Sequence, residues 1–312
     1  MSWRNLNLQD KLIIKGGKEL KGEVSISGAK NAVLKHMAAA LLATGTTVID
    51  NVPNLTDVYT MGEVIKKLGP QVSFSKSQLC IDATYVDNYE ASYEFVSKMR
   101  ASFIVLGSLL GRFGEAKVAL PGGCAIGERR IDLHVKGLRA LGAEVIIDQG
   151  YVIAKAKKLV GTKIHLDKPS VGATENLMLA AALAEGSTII SNAAQEPEIG
   201  DLAHFINAMG GDISGAGTSE IIINGVKQTD LKPVRFSSIP DRIEAGTFLC
   251  AVMASKGDVV VRNINPNNLS ATTSKLIAMG ADLSVVDPYS IRIQVQNRPI
   301  AVDVITQPYP GF

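Results

Sequence analysis

Ile65-Lys66-Lys67-Leu68-Gly69 closes a run of helical period with a glycine, and the chain repeats that phrase three times: Leu138-Arg139-Ala140-Leu141-Gly142, Ile206-Asn207-Ala208-Met209-Gly210 and Leu276-Ile277-Ala278-Met279-Gly280. The glycines lie 73, 68 and 70 residues apart, and a short apolar strand pattern follows each. A glycine there is what a helix needs to stop in a left-handed conformation. A second ladder keeps the same period. Gly45, Gly114, Gly186 and Gly257 each close an Ala/Leu-rich helical run and precede a β-rich one, at spacings of 69, 72 and 71 residues. Two independent landmarks with one period define a repeated structural unit.

The third unit shows the whole pattern. Residues 163–166 alternate as a strand, 172–184 read as a helix, 187–190 as a strand, 199–209 as a helix, and 212–214 and 220–223 as two more strands. The chain is therefore expected to be α/β, built from β-α-β-α-β-β units. Runs such as LMLAAALAEG and FLCAVMASKG are apolar on more than one face, so their helices are expected to be buried. The strands alternate, so one face of each sheet is expected to meet water. This reverses the usual layering of an α/β domain. Four units reach about Val295, and the remaining RPIAVDVITQPYPGF reads as the first strand and loop of a fifth. A packed domain does not end on such a strand, so the expectation is a chain that is C-terminally truncated.

With 312 residues there is room for two domains. Apolar residues make up 46 % and charged residues 20 %, and the net charge is +2. That balance argues for neither a nucleic-acid nor a membrane surface. The longest apolar stretches, 102–110 and 177–184, are far short of a membrane span. The opening MSWRNLNLQDKLIIKG lacks the apolar centre of a signal peptide. Cys80, Cys124 and Cys250 form no C-x-x-C pair, so neither a disulfide framework nor a zinc site is expected, and a reducing cytoplasm fits. Walker A, H-E-x-x-H, G-x-S-x-G and a G-x-G-x-x-G at a first strand–helix turn are all absent from the sequence.

The candidate chemistry lies in strand-to-helix loops. These are Ser27-Gly-Ala-Lys30-Asn31, Pro121-Gly-Gly-Cys124-Ala-Ile-Gly127-Glu-Arg129-Arg130, Asp167-Lys168-Pro169-Ser170-Val171-Gly172 and Pro240-Asp241-Arg242-Ile-Glu244, with Arg100 at the head of a further helix. Free amides at a helix start plus a cationic side chain bind anions. Several such loops point to a substrate with more than one anionic group. Each residue also has a plain structural role open to it: Lys30, Arg100 and Arg129 as solvated surface charges, Ser170 as a helix cap, Cys124 as a small buried side chain. Two glycines before Cys124 and arginines after it favour a reactive thiolate instead. Of the four histidines, His36, His165 and His204 read as structural and His134 does not.

Six runs resemble the UDP-N-acetylglucosamine enolpyruvyl transferases: residues 22–31, Met99-Arg-Ala-Ser102, Leu120-Pro-Gly-Gly-Cys124, Ser170-Val-Gly-Ala-Thr174, Glu196-Pro-Glu198 and residues 240–247. The final Pro308-Tyr-Pro-Gly-Phe312 does too, and the match covers essentially the whole chain in order. The related 5-enolpyruvylshikimate-3-phosphate synthases lack the Pro-Gly-Gly-Cys loop. The resemblance implies an inside-out α/β barrel of such units with helices inside. It also implies two domains, one over residues 30–237 and a second, incomplete one from 1–29 and 238–312. The implied reaction is transfer of the enolpyruvyl group of phosphoenolpyruvate to the 3-hydroxyl of UDP-N-acetylglucosamine, the first committed step of peptidoglycan synthesis, with no metal or organic cofactor. By position, Cys124 is the implied proton donor and the residue alkylated by fosfomycin. Lys30, Asn31 and Arg129 are implied to hold phosphoenolpyruvate. Arg100, the stretch Arg129, Arg130, Ile131, Asp132 and Leu133, and Lys168, Pro169, Ser170 and Val171 are implied to hold the UDP-sugar.

Some features depart from the family pattern. Ala125 stands where members often have a hydroxyl residue, and Arg130 where many have proline, which makes that loop less rigid. The family continues past Pro-Gly-Phe with Pro-Thr-Asp, whose Asp is the implied base, so this chain alone is expected to turn over little. Two other readings follow: a non-catalytic UDP-sugar-binding relative with a regulatory or scaffold role, and a sister enolpyruvyl transferase with another acceptor.

Overall fold

The computed structural model describes residues 13–96, 99–120 and 131–312, apart from the side chains of Phe95 and Arg100. Among them are nine α-helices: α1 (Lys30–Ala39), α2 (Thr56–Lys67), α3 (Tyr93–Val96), α4 (Val105–Phe113), α5 (Asp132–Ala140), α6 (Val171–Ala181), α7 (Pro197–Ala208), α8 (Arg242–Ser255) and α9 (Ser270–Ala278). The first glycine ladder ends α2, α5, α7 and α9. Gly69, Gly142, Gly210 and Gly280 all take positive φ, from 94° to 116°. Each donates its N–H three residues back, and Ala143, Gly211 and Ala281 donate five residues back to Leu138, Ile206 and Leu276. This pairing satisfies the last helical carbonyls. The second ladder behaves less uniformly. Gly114 caps α4 directly, whereas Gly257 opens its strand. There a Cβ would lie 1.9 Å from the Leu20 carbonyl oxygen, so only glycine admits the neighbouring strand.

Four sheets of four strands share one design. In the third unit, Lys163–His165 runs parallel to Ser187–Ser191, which pairs antiparallel with Glu220–Asn224, and that strand with Asp212–Ser214. The second unit repeats this with Glu90–Ala91, Glu115–Ala119, Tyr151–Lys155 and Glu144–Asp148. The first and fourth units take their parallel edge from elsewhere in the chain. Arg235–Ser237 pairs with Thr46–Asp50, and Leu20–Ser25 with Gly257–Arg262. One clamp recurs at these edges. Asn51, Asn192 and Asn263 follow the central strand with φ of 57°, 56° and 56°. Each donates its side-chain amide to the carbonyl just beyond the parallel strand, at Ser238, Leu166 and Ile26. Asparagine tolerates that left-handed position better than most residues.

The chain divides into two compact units. The larger is Ser27–Arg242 with Ile305–Phe312, and the smaller is residues 13–26 with Ile243–Val304. In the larger unit the helices are inside. Residues 173–181 of α6 are buried on every face, as are 32–39 of α1 and 105–110 of α4. The strands around them alternate between buried and open positions, as in Thr46–Asp50, Tyr151–Lys155 and Glu220–Asn224. The expectation for FLCAVMASKG is corrected. In α8 only Ala245, Leu249, Val252 and Met253 are buried, and Cys250 is exposed. The core of the smaller unit is one sheet under α8 and α9, which covers a single helical face.

Helices α4 and α6 cross closely because α4 carries glycine at the contact. A Cβ on Gly107 would fall 2.3 Å from the Asn176 carbonyl oxygen, and one on Gly111 3.1 Å from that of Leu179. Gly107→Ala is therefore expected to cost about 1–3 kcal/mol in a urea titration, and Gly111→Ala less. Equal stability of both variants would contradict this packing.

Candidate active site

The N-termini of α1 and α6 and the turn before α7 open on one cavity of about 510 Å³, wholly within the larger unit. Ser170 starts α6, its hydroxyl accepting from the Ala173 N–H at 3.4 Å. It thus has both the capping role and a place in the cavity wall. Lys168, Pro169, Val171 and Gly172 line the same wall, as do Asn31 and Leu133. These candidates from three separate loops are brought together because α5 packs on α6, and α1 and α6 both pack on α4 and α7.

Lys30 is the first residue of α1. Its backbone N–H donates to Asp241 at 3.2 Å, and its ammonium lies 2.9 Å from Asp57 of α2. It stands beside the cavity rather than among its lining residues. Ile131 and Asp132, at the head of α5, line a second and more open depression with Lys136 and Arg139. Arg100 begins a 3-10 turn, Arg100–Ile104, and its side chain lies outside the described residues. Cys124, Arg129 and Arg130 also lie outside them.

To residues the sequence had singled out, the structure adds Lys35, Glu175 and Asn176. His134 lines the cavity, and its Nδ1 meets the Asn176 side-chain amide at 2.9 Å. Asn176 Oδ1 accepts from the Gly107 N–H at 2.7 Å, so its amide nitrogen faces the histidine. That places the proton of a neutral His134 on Nε2. Lys35 and Glu175 meet across α1 and α6 at 3.1 Å, with side-chain exposures of 9 % and 0 %. Lys35 also donates to the Asn31 carbonyl at 3.3 Å. Burial pushes the Glu175 carboxyl up to about 7; Lys35 opposes that rise, and Glu198 and Glu196 add to it. Burial likewise raises Glu196, helped by Glu198. Arg242 Nε lies 3.3 Å from Glu198, and the Tyr309 ring sits 5.1 Å from its guanidinium.

A signal for Lys35 and Glu175 was present in the sequence. Both sit in helices whose other buried residues are mostly apolar, and a charge in such a place must find a partner or neutralise. Chemically, the wall offers a helix N-terminus and the Lys168 ammonium to an anion, and carboxylates and an arginine to hydroxyl or amide groups.

An α/β fold of repeated units with this cavity at its helix starts defines a class. The chain belongs to the family described as EPSP synthase (3-phosphoshikimate 1-carboxyvinyltransferase), whose sequence model matches residues 14–312. Its similarity within that family is more particular. It is 51 % identical over 304 residues to UDP-N-acetylglucosamine 1-carboxyvinyltransferase 2 of Carboxydothermus hydrogenoformans, covering 97 % of this chain and 72 % of the relative. It is 49 % identical, with the same coverage, to UDP-N-acetylglucosamine 1-carboxyvinyltransferase of Trichlorobacter lovleyi. Among solved structures, the enolpyruvyl transferase NikO from Streptomyces tendae matches with a TM-score of 0.84 at 23 % identity, over 95 % of this chain and 70 % of that one. EPSP synthase from Acinetobacter baumannii matches with a TM-score of 0.70 at 20 % identity, over 90 % and 66 %. These likenesses show the shared inside-out fold. No helix among the described residues is long and apolar enough to cross a membrane.

Proposed function

We propose that the chain acts as a UDP-N-acetylglucosamine 1-carboxyvinyltransferase, passing the enolpyruvyl group of phosphoenolpyruvate to the sugar 3-hydroxyl and releasing phosphate, in the cytoplasm, as the first committed step of peptidoglycan synthesis. The observation that carries this reading is the identity of 51 % over 304 residues with a relative of that name, against 20 % with a structure of EPSP synthase. The 3-hydroxyl attacks C2 of phosphoenolpyruvate while C3 gains a proton, and the tetrahedral intermediate expels phosphate. Such chemistry needs a proton donor, a base and cations around the phosphate and carboxylate. Cys124 is the donor in this reading. Lys30, Asn31 and Arg129 hold phosphoenolpyruvate. Arg100, Arg129 to Leu133, and Lys168 to Val171 hold the UDP-sugar. The cavity supports the last group, since the α6 N-terminus and Lys168 offer donors suited to a diphosphate.

Calorimetric titration with UDP-N-acetylglucosamine and, separately, shikimate 3-phosphate tests the reading. The sugar nucleotide is expected to bind and the shikimate ester is not. Comparable affinity for shikimate 3-phosphate would move the chain to the other branch of its family.

A further inference from the structure

Lys35 and Glu175 take no part in the reaction just described, yet both line its cavity. Glu175 has no exposed surface, and Lys35 keeps 7 %. Their pairing is incomplete. Lys35 lies 3.1 Å from Oε2, while among the described residues Oε1 has no hydrogen-bond partner. A buried carboxylate oxygen without a donor is a costly arrangement for an ionised group. Among the described residues, the polar and charged groups that line the cavity with this pair include Asn31 on α1, His134 on α5, Lys168 before α6, Glu196 and Glu198 at α7, and Arg242. Lys35 is, among the described residues, the cation in contact with Glu175.

A phosphate-bearing ligand entering this cavity adds negative charge beside a carboxylate that is already desolvated and near two others. Like charges in one low-dielectric space favour the neutral form of the weakest acid among them. For Glu175 the switch is small, because its carboxyl already titrates at about 7. Once it takes a proton, the Lys35 charge is no longer neutralised and is offered to the ligand. The empty site then never holds a bare buried cation, and the filled one gains a cation.

We propose that Lys35 and Glu175 are a positioning pair of this site, in which Glu175 takes a proton from solvent when an anionic substrate enters and so frees the Lys35 charge to attract it. The proposal rests on reading the cavity as the seat of the sugar nucleotide.

Proton uptake on binding tests it. UDP-N-acetylglucosamine is titrated at pH 8 in two buffers of different ionisation enthalpy, so that the heat reports protons taken up per ligand. The wild-type chain is expected to take up most of one proton, and its affinity to fall roughly tenfold per pH unit above the carboxyl's midpoint. Glu175→Gln is expected to take up none and to bind with a flat pH profile. Where that variant fails to fold, Lys35→Met with Glu175→Leu replaces it, with weaker and pH-independent binding expected. Uptake that persists in either variant, or wild-type binding without uptake, overturns the proposal while leaving the function standing. A wild-type chain that binds no UDP-N-acetylglucosamine overturns both.

Discussion

Lys35→Met is expected to lower the unfolding free energy by about 3–5 kcal/mol at pH 8, the usual result of removing one partner of a buried ion pair. The substitution keeps the length and apolar stem of the side chain, so the loss reports the charge left on Glu175. The companion variant Lys35→Met with Glu175→Leu removes both charges and is expected to recover most of that loss. The difference between single and double variants should shrink as the pH falls, because protonated Glu175 no longer needs a counter-charge. The wild type carries the same dependence. Its Glu175 carboxyl sits at about 7 when folded against a model value of 4.5. The folded chain therefore binds more protons than the unfolded one between those values. The stability this gives is full below about 4.5 and is lost as the pH rises through about 7, on the order of 3 kcal/mol in all. Urea titrations of the three proteins at pH 5, 6, 7 and 8 measure every part of this. A Lys35→Met protein as stable as wild type at pH 8 would mean that Glu175 has another route to neutrality.

Cys124→Ser is expected to abolish covalent capture altogether. In the proposed function the thiol donates a proton to C3 of phosphoenolpyruvate, and its neighbours Arg129 and Arg130 favour the thiolate that attacks an electrophile. A serine hydroxyl titrates far above the working range and does neither. Intact-mass measurement after incubation with fosfomycin and UDP-N-acetylglucosamine is expected to give one adduct on the wild type and none on the variant. Where transfer is followed, loss of the proton donor is expected to cost at least about 10²–10⁴-fold. The other cysteines are built-in controls, since Cys80 is half-buried and Cys250 is exposed on α8. An adduct mapped to Cys250 with Cys124 unmodified would remove Cys124 from the chemistry.

The repeat was legible because it is written in local backbone demands. Gly69, Gly142, Gly210 and Gly280 occupy left-handed positions, which any helix with this ending requires, and a requirement confined to a few residues shows in the residues themselves. The same holds for the buried helices α1 and α6, whose apolar residues recur on every face. The loops rich in Lys, Ser and Gly could be picked out as helix starts, and Asn31, Leu133 and Lys168 to Val171 do share one cavity. Ile131 and Asp132 adjoin Leu133 in sequence but face a different depression, because consecutive residues at a helix start point in different directions.

By itself, then, the sequence determined the unit, its period, its layering in the larger unit and the chemical character of its loops, all of which depend on neighbours within a turn or a strand. Tertiary structure alone decided two things. It set which strand closes which sheet, with Arg235–Ser237 completing the first and Leu20–Ser25 the fourth. It also brought Lys35 to Glu175 across 140 positions of chain. Strand pairing runs through backbone hydrogen bonds that are the same for every residue, so the sequence gives an edge strand no address. A buried charge announces that it needs a partner without saying where in the chain that partner lies.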